Sequence, residues 1–314
     1  MTARPIIIDT DPGQDDAIAI LLALASPELS VLGITAVAGN VSLSLTETNA
    51  RALVELAGRP DIPVFAGCAR PMVRTLVTAE EVHGKTGLDG ADLPPPTVPL
   101  QEMHAVDWLV ATLMDAEPGT ITLCTLGPLT NIAMAMVREP AIIPRIRQIV
   151  AMGGGFFEGG NTTPAAEFNI YVDPHAAKVV FESGVPLTLA PLDLTHKALM
   201  PRAWIDSLGA MDTAVGRACK GMLGFYERFD MERYGQDGGP LHDPSVVAFL
   251  LKPELYGGRD CNVRIETGSE LTMGMTVVDW WGQTGLVRNC HVLNTIDADG
   301  FFTLIAERLA RLTR

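Results

Sequence analysis

Apolar positions along the chain fall into two recurring patterns that alternate from the first residues onward. Short runs rich in β-branched residues, such as residues 6–8, are typical of buried strands. Apolar residues at helical spacing, such as those in 17–24, are typical of helices that pack one face on a sheet. The first pattern predicts strands at residues 6–8, 31–37, 64–66, 120–125, 148–152 and 185–190. The second predicts helices at residues 17–24, 43–57, 103–115, 174–183, 201–233, 241–251 and 299–312.

The order of these elements predicts the fold class. Strand, loop and helix repeat along the chain, which is typical of an α/β protein with an open, mostly parallel, Rossmann-like sheet and helices on both faces. Residues 259–297 alternate in a strand-like way and predict a small antiparallel excursion at the sheet edge. We find no linker or internal repeat in the sequence, so we expect a single domain over residues 1–314.

Four carboxylates crowd the loop between the first strand and the first helix: Asp9, Asp11, Asp15 and Asp16. Aspartate is common in turns and at helix starts, where it caps free N–H groups, and this explains one or two of the four. Like charges this close raise one another's pKa unless a cation neutralises them. We therefore favour a cation site over capping alone.

Further polar residues follow the predicted strands, at the sheet edge where open parallel sheets bind ligands. Oxygen donors at this density suit Ca²⁺ or Mg²⁺ rather than zinc, and carboxylates beside amides suit a polyhydroxylated substrate. Taken singly, several of them also suit a purely local role: Asn40 and Asn161 as turn residues, His83 as a surface histidine, and Asp243 as a helix cap. We expect Glu167 and Asn169 to share one face of an extended segment. The candidate residues are Asp11, Asp15, Asp16, Asn40, His83, Leu126, Asn161, Glu167, Asn169, His242 and Asp243.

Composition excludes several other classes of protein. With 314 residues, 47% hydrophobic, and a net charge of −14, the chain is globular and disfavours nucleic acid and anionic membranes as partners. Its five cysteines include no C-x-x-C pair, which argues against disulfides and zinc and suits a reducing compartment. We see neither a signal-peptide pattern nor an apolar run of membrane-spanning length, so we expect a cytoplasmic protein. Phosphate-binding glycine motifs and a G-x-S-x-G nucleophile elbow are also missing.

Taken together, the motifs resemble the inosine-uridine-preferring nucleoside hydrolase family over essentially the whole chain. The similarity is greatest to bacterial ribonucleoside hydrolases that prefer pyrimidines, through residues 163–174 and 195–198. The motifs that carry it are DTDPGQDDAIA at 9–19, AGN at 38–40, HGKTGLDG at 83–90, GPLTN at 127–131, AEFNI at 166–170 and LHDP at 241–244.

The resemblance implies hydrolysis of the N-glycosidic bond of ribonucleosides to free base and ribose. It implies a Ca²⁺ ion held by Asp11, Asp16, the Leu126 carbonyl and Asp243, with Asp11 also activating the attacking water. Asp15, Asn161, Glu167 and Asn169 would hold the ribose, with Asn40 in support and Asp243 bordering the substrate. His83 and His242 would line the base side, His242 assisting the leaving group with the near-neutral pKa of an ordinary imidazole. A homotetramer is implied, with a dimer as the alternative.

Base preference is open at this point. We favour uridine and cytidine over purine or mixed preference from the resemblance alone, and we expect residues 72–90 and 222–240 to decide it. Four aromatic residues of the second segment suit stacking on the base or a place in the core: Phe225, Tyr226, Phe229 and Tyr234. Three polar side chains suit hydrogen bonds to the edge of the base: Arg228, Glu232 and Gln236. Phe156 and Phe157 would shape the ribose pocket or a subunit contact.

Two other functions stay open: an aspartate-dependent phosphatase, suggested by Asp9-x-Asp11, and a non-catalytic nucleoside-binding protein.

Overall fold

One nine-stranded sheet organises the part of the chain that our computed structural model describes, residues 3–234 and 238–313. The strands are β1 Arg4–Thr10, β2 Leu29–Ala36, β3 Val64–Ala66, β4 Thr122–Thr125, β5 Gln148–Met152, β6 Leu187–Ala190, β7 Tyr256–Ile265, β8 Thr276–Asp279 and β9 Cys290–Ile296.

The strand order across the sheet is β3-β2-β1-β4-β5-β6-β9-β7-β8. Every pairing from β3 through β9 is parallel, whereas β7 runs antiparallel to both β9 and β8 at the edge. The predicted fold class, a mostly parallel sheet with an antiparallel C-terminal excursion, is confirmed. Because the strands are parallel, their carboxyl ends meet at one edge of the sheet.

Helices cover both faces of the sheet. They are α1 Gln14–Leu24, α2 Leu43–Leu56, α3 Glu80–His83, α4 Ala105–Asp115, α5 Thr130–Arg138, α6 Phe168–Val172, α7 Pro174–Phe181, α8 Leu192–Thr195, α9 Arg202–Gly209, α10 Ala214–Tyr234, α11 Pro244–Leu251 and α12 Ala298–Leu309. In β1, Ile6 and Ile8 face the layer that contains α1, whereas Ile7 faces the opposite layer. This burial on both sides explains why the strand is apolar without alternation.

Three local predictions are wrong. The predicted helix over residues 201–233 is divided into α9 and α10. Residues 168–172 form helix α6 rather than an extended segment, because the Glu167 carboxylate accepts hydrogen bonds from the backbone N–H groups of Asn169 and Ile170. The long segment 68–100 contains the short helix α3, which its lack of periodicity did not predict. The described helices include none with both the length and the apolar character needed to cross a membrane.

Candidate active site

A single cavity at the carboxyl ends of the strands gathers almost all of the predicted site residues. Asp11 and Asp16 are the two exceptions: both are fully buried and do not line the cavity. The chain folds this way locally because β1 ends at Thr10 and α1 begins at Gln14, so the intervening loop lies at the edge of the sheet. The predicted residues that line the cavity are Asp15, Asn40, His83, Leu126, Asn161, Glu167, Asn169, His242 and Asp243.

Three carboxylates meet at what we call the floor of this cavity: Asp15 and Asp243 line it, and Asp16 is fully buried beside them. Among the described residues, Asp15, Asp16 and Asp243 bring one oxygen each within 4.8 Å of one another. All three side chains are buried. Asp243 is the N-cap residue of α11, but its side chain makes no capping hydrogen bond, so the alternative of a purely local capping role is not supported. The convergence of loop and helix start instead creates an all-oxygen site of the kind that binds hard cations.

Asp11 lies in a cradle made by two glycines and one amide. A Cβ atom on Gly39 would lie 2.0 Å from Asp11 Oδ2, and a Cβ on Gly127 would lie 2.1 Å from Asp11 Oδ1. The backbone N–H of Asn40 donates to Asp11 Oδ2 at 2.7 Å, and Asn40 Nδ2 donates to Asp16 Oδ2 at 3.1 Å. Asp11 Oδ1 is buried and has no hydrogen-bond partner in the described part of the chain.

Burial raises the pKa of each clustered carboxyl group, and neighbouring aspartates raise it further for Asp11, Asp15 and Asp243. Burial, then the charge of Asp16, raises the pKa of Asp15 to about 8. Burial and neighbouring aspartates raise the pKa of Asp11 and Asp243 well above the ordinary range. Asp9 is separate from this group: it accepts hydrogen bonds from Thr35 and Asn131, which fits a supporting role behind the site.

The side of the cavity formed by residues 161–169 carries amide and carboxylate groups. Glu167 accepts from the backbone N–H of Gly154 at 2.8 Å, and burial raises the pKa of its carboxyl group. Asn169 Nδ2 donates to the Leu126 carbonyl at 2.7 Å. Asn161 Oδ1 accepts from the backbone N–H of Phe168 at 3.0 Å, which joins the glycine-rich loop to α6. These hydrogen bonds fix the side chains before any ligand binds.

Two histidines line the remaining wall. His242 Nδ1 lies 2.7 Å from the Thr195 hydroxyl oxygen, and His83 Nδ1 lies 2.8 Å from Gln14 Oε1. Burial lowers the pKa of each imidazole to about 3. The expectation of an ordinary near-neutral pKa for His242 is therefore wrong, because it took no account of the burial of the ring.

Aromatic residues of α10 close one end of the cavity. Tyr226 and Phe229 line it, and the Tyr226 ring centroid lies 5.6 Å from that of His83. The Arg228 guanidinium stacks on Phe225 at 4.0 Å. Phe156 and Phe157 pack with Trp280 and do not line this cavity. The predicted roles of Glu232, Tyr234 and Gln236 fall outside the described side chains.

Sequence reasoning missed three residues of the site. His196 lines the cavity with its ring centroid 5.9 Å from that of His242. Thr195 and Gln14 each contact one of the two wall histidines. Gln14 lies inside the acidic motif, where the four carboxylates are the stronger signal. The Thr195-His196 pair follows strand β6 at the same edge of the sheet, and this position is the signal that predicts it.

Comparison with known proteins identifies the family of this chain. The profile of the inosine-uridine preferring nucleoside hydrolases matches residues 6–303. The chain belongs to this family. It is 46% identical to the pyrimidine-specific ribonucleoside hydrolase RihA of Photobacterium profundum over 98% of this chain and 99% of the relative. An uncharacterized protein of Schizosaccharomyces pombe is 55% identical over 98% of this chain and 99% of its own length.

A solved structure extends the comparison to three dimensions. The purine-preferring ribonucleoside hydrolase from Gardnerella vaginalis aligns with a TM-score of 0.92 at 29% identity, covering 98% of this chain and 99% of that one. The chain is therefore a nucleoside hydrolase, an enzyme that hydrolyses ribonucleosides, and the phosphatase and non-catalytic alternatives are rejected. These relatives differ in the base that their names specify, so family membership alone leaves the base preference undecided.

Proposed function

We propose that this nucleoside hydrolase is Ca²⁺-dependent and prefers pyrimidine ribonucleosides, releasing the free base and ribose. The observation that carries the metal requirement is the meeting of buried carboxylates at the cavity floor, with the oxygens of Asp15, Asp16 and Asp243 within 4.8 Å of one another. Buried carboxylates without a compensating charge are strongly destabilising. A divalent cation removes that cost, and the absence of sulfur donors from the cluster favours a hard ion.

An all-oxygen donor set suits Ca²⁺. The ion would be held by Asp11, Asp16, Asp243 and the backbone carbonyl of Leu126, whereas Asp15, which clusters with Asp16 and Asp243, would bind the ribose. The Leu126 carbonyl accepts from Asn169 and keeps a second lone pair, since a carbonyl oxygen has two. The two glycines beside Asp11 keep its carboxylate reachable, because any side chain at either position would occupy the same space. When bound, Ca²⁺ supplies the positive charge that neutralises these carboxylates and acidifies an attacking water.

The attacking water would lose its proton to Asp11. Asp11 Oδ2 is engaged by the Asn40 backbone N–H, whereas Oδ1 has no partner in the described part of the chain. Oδ1 is therefore the oxygen we assign to proton acceptance. Asp15 would accept a ribose hydroxyl, and the carboxylates around it would oppose the positive charge that develops on the ribosyl ring.

Ribose would be held between this floor and the wall formed by Asn161, Glu167 and Asn169. The Glu167 carboxylate is already held by backbone N–H groups, so it needs little reorganisation to receive the sugar hydroxyls. Hydrogen bonds of this kind lower the barrier when they strengthen as the ring flattens in the transition state.

His242 is our candidate for assisting the departing base. Its pKa is lowered to about 3, so the imidazole is neutral before the substrate binds. Assistance by His242 therefore requires that the bound nucleoside raise this pKa so that the ring can donate a proton. Alternatively, the neutral ring carries its single hydrogen on Nε2, with the Thr195 hydroxyl donating to Nδ1, and gives the leaving base a hydrogen bond. Thr195 holds the ring in place through Nδ1.

Pyrimidine preference rests on similarity to the enzyme of Photobacterium profundum, and purine or broad specificity is the alternative. The test is a panel of uridine, cytidine, inosine and adenosine, scored as free ribose released per second. We expect kcat/KM to be highest for uridine or cytidine. Faster hydrolysis of inosine would overturn the preference, and no ribose from any nucleoside would overturn the proposed activity of this site.

The homotetramer expected from the family resemblance stays a prediction, with a dimer as the alternative. Size-exclusion chromatography with light scattering gives the mass of the particle directly. We expect four times the chain mass of 33.6 kDa, and a particle of twice that mass would favour the dimer.

A further inference from the structure

Gln14 joins the acidic loop to the segment that carries His83. Its side chain is fully buried. Gln14 Nε2 donates to the His83 backbone carbonyl at 2.9 Å and to the Asp89 carbonyl at 3.1 Å, while Oε1 lies 2.8 Å from His83 Nδ1. One side-chain amide therefore contacts the backbone and the imidazole of the same histidine.

These contacts determine where the imidazole carries its hydrogen. Two carbonyl oxygens can only accept, so the NH₂ end of Gln14 must face them and its oxygen must face the ring. An amide oxygen also only accepts, which requires a hydrogen on His83 Nδ1. Burial lowers the pKa of His83 to about 3, so the ring holds one proton at neutral pH. Nε2 is then unprotonated and is a hydrogen-bond acceptor.

The neighbouring glycine fixes the position of the same ring. A Cβ atom on Gly13 would lie 2.3 Å from His83 Nδ1 and 2.7 Å from Cε1, so the imidazole occupies the space of a side chain at that position. His83 lines the cavity, and Nε2 has no hydrogen-bond partner within residues 3–234 and 238–313. Its acceptor is available to a ligand.

We propose that Gln14 is a positioning residue that holds His83 as the Nδ1–H tautomer, so that Nε2 accepts a hydrogen bond from an N–H or O–H group of the bound nucleoside. The assignment of the ligand rests on the proposed function of this cavity, whereas the tautomer does not. It follows that His83 receives a hydrogen bond and does not deliver a proton to the leaving base. His83 thus accepts a hydrogen bond from the nucleoside, whereas His242 assists the departing base.

The tautomer can be measured without substrate, by long-range ¹H–¹⁵N NMR of protein labelled at histidine nitrogen. The His83 signals are identified by their loss in His83→Gln. We expect a protonated Nδ1 and an unprotonated Nε2 in the wild type near neutral pH. A protonated Nε2 would overturn the proposal even if the enzyme hydrolyses uridine as proposed.

Kinetics test whether Gln14 acts through His83. Gln14→Met keeps the length of the side chain and removes its hydrogen bonds, and we expect kcat/KM for uridine to fall about tenfold. In a His83→Ala background the same substitution should cost much less, because the group that it orients is gone. Equal losses in the two backgrounds would show a merely structural role and reject the proposal.

Asn49 is a matched control in the same region. Its Nδ2 donates to the Pro12 carbonyl at 3.0 Å and the Thr86 carbonyl at 2.8 Å, so it also bridges the two loops, but we see no contact with an imidazole in the described structure. Asn49→Leu should have the same effect with and without His83 and should leave the His83 nitrogen shifts unchanged. A change of tautomer in Asn49→Leu would contradict a specific role for Gln14. If Gln14→Met does not fold, the wild-type spectrum decides the question.

To separate the donors, 5′-deoxyuridine and 3-methyluridine remove one hydrogen-bond donor each. For the analogue that lacks the donating group, we expect Gln14→Met to change kcat/KM barely, because no hydrogen bond to His83 Nε2 is left to lose. If both analogues remain as sensitive to Gln14→Met as uridine, the proposed hydrogen bond from either of these groups to Nε2 is contradicted.

Discussion

Asp15 and Asp243 bring carboxylate oxygens within 4.8 Å of each other, although they lie far apart in the sequence. The packing of α1 against α11 causes this approach, because each residue lies at the start of one of these two helices. Helix N-termini favour negative charge, but two buried carboxylates still repel each other. The fold therefore holds together groups that require a cation.

Replacing Asp11 should separate catalysis from folding. Asp11→Ala removes the proposed proton acceptor, so we expect kcat for uridine to fall by about 10²- to 10⁴-fold or more. The melting temperature of the metal-free protein should not fall, because one of several mutually repelling carboxylates is gone. Asp61→Ala, at an exposed surface ion pair with Arg59, is the control and should leave kcat unchanged. Wild-type turnover by Asp11→Ala would contradict the assignment.

The glycine cradle around Asp11 gives a second prediction. Gly127→Ala would bring a methyl group to 2.1 Å from Asp11 Oδ1, so the carboxylate must move. We expect weaker Ca²⁺ affinity, measured by isothermal titration calorimetry, and reduced ribose release. Gly224→Ala in helix α10 is the matched control: its Cβ has nothing within 4 Å, and helix propensity should add about 1 kcal/mol of stability. Unchanged Ca²⁺ affinity in Gly127→Ala would show that the cradle is unnecessary.

Metal removal should make stability fall with rising pH. Aspartate in the unfolded chain has a pKa near about 4, whereas the pKa of Asp15 in the metal-free folded protein is raised to about 8. The folded state therefore binds more protons between these values, and its free energy of unfolding decreases as the pH rises through them. From about pH 7 to about pH 8, His83 and His242 are largely neutral in both states and contribute little, since an unfolded histidine has a pKa of about 6.5.

Thermal unfolding at these two pH values tests this prediction. We expect the chelated protein to melt at a lower temperature at the higher pH, a smaller difference in Asp15→Asn, and no such difference once Ca²⁺ is restored. A chelated protein equally or more stable at the higher pH would show that the pKa of Asp15 is not raised in the metal-free folded protein.

The role of His242 predicts a dependence on the leaving group. His242→Ala should slow hydrolysis of uridine far more than that of a nitrophenyl riboside, whose leaving group departs without a proton. General acid catalysis typically contributes about 10²- to 10⁴-fold, which sets the expected scale for uridine. His196→Ala, which removes the neighbouring ring, is the comparison. Equal losses for both substrates in His242→Ala would exclude it as the proton donor.

The sequence predicted the fold well because most elements carry a strong local pattern. The strand at residues 148–152 has the predicted bounds, since its apolar residues are buried on both faces. Helix α6 could not be predicted from periodicity: it has five residues, and its start depends on Glu167 capping it. Hydrogen bonds to a side chain determine this helix, and they leave no repeating pattern in the sequence.

The sequence predicted which residues form the candidate site, but not their protonation or their contacts. Asp15 and Asp16 were visible as excess charge, whereas their meeting with Asp243 depends on helix packing between distant segments. The low pKa of His242 depends on burial by the whole cavity wall, and the contact of Gln14 with His83 depends on a loop that has little secondary structure. Such properties come from tertiary contacts, which a single sequence does not reveal.

The central claim is that Ca²⁺ at the carboxylate cluster is required for hydrolysis. The most direct measurement strips the protein of metal, titrates Ca²⁺ back, and records bound Ca²⁺ and ribose released from uridine in the same samples. We predict no ribose without metal, one Ca²⁺ bound per chain at saturation, and activity that rises in proportion to occupancy. Full ribose release by protein that contains no divalent cation would contradict the claim.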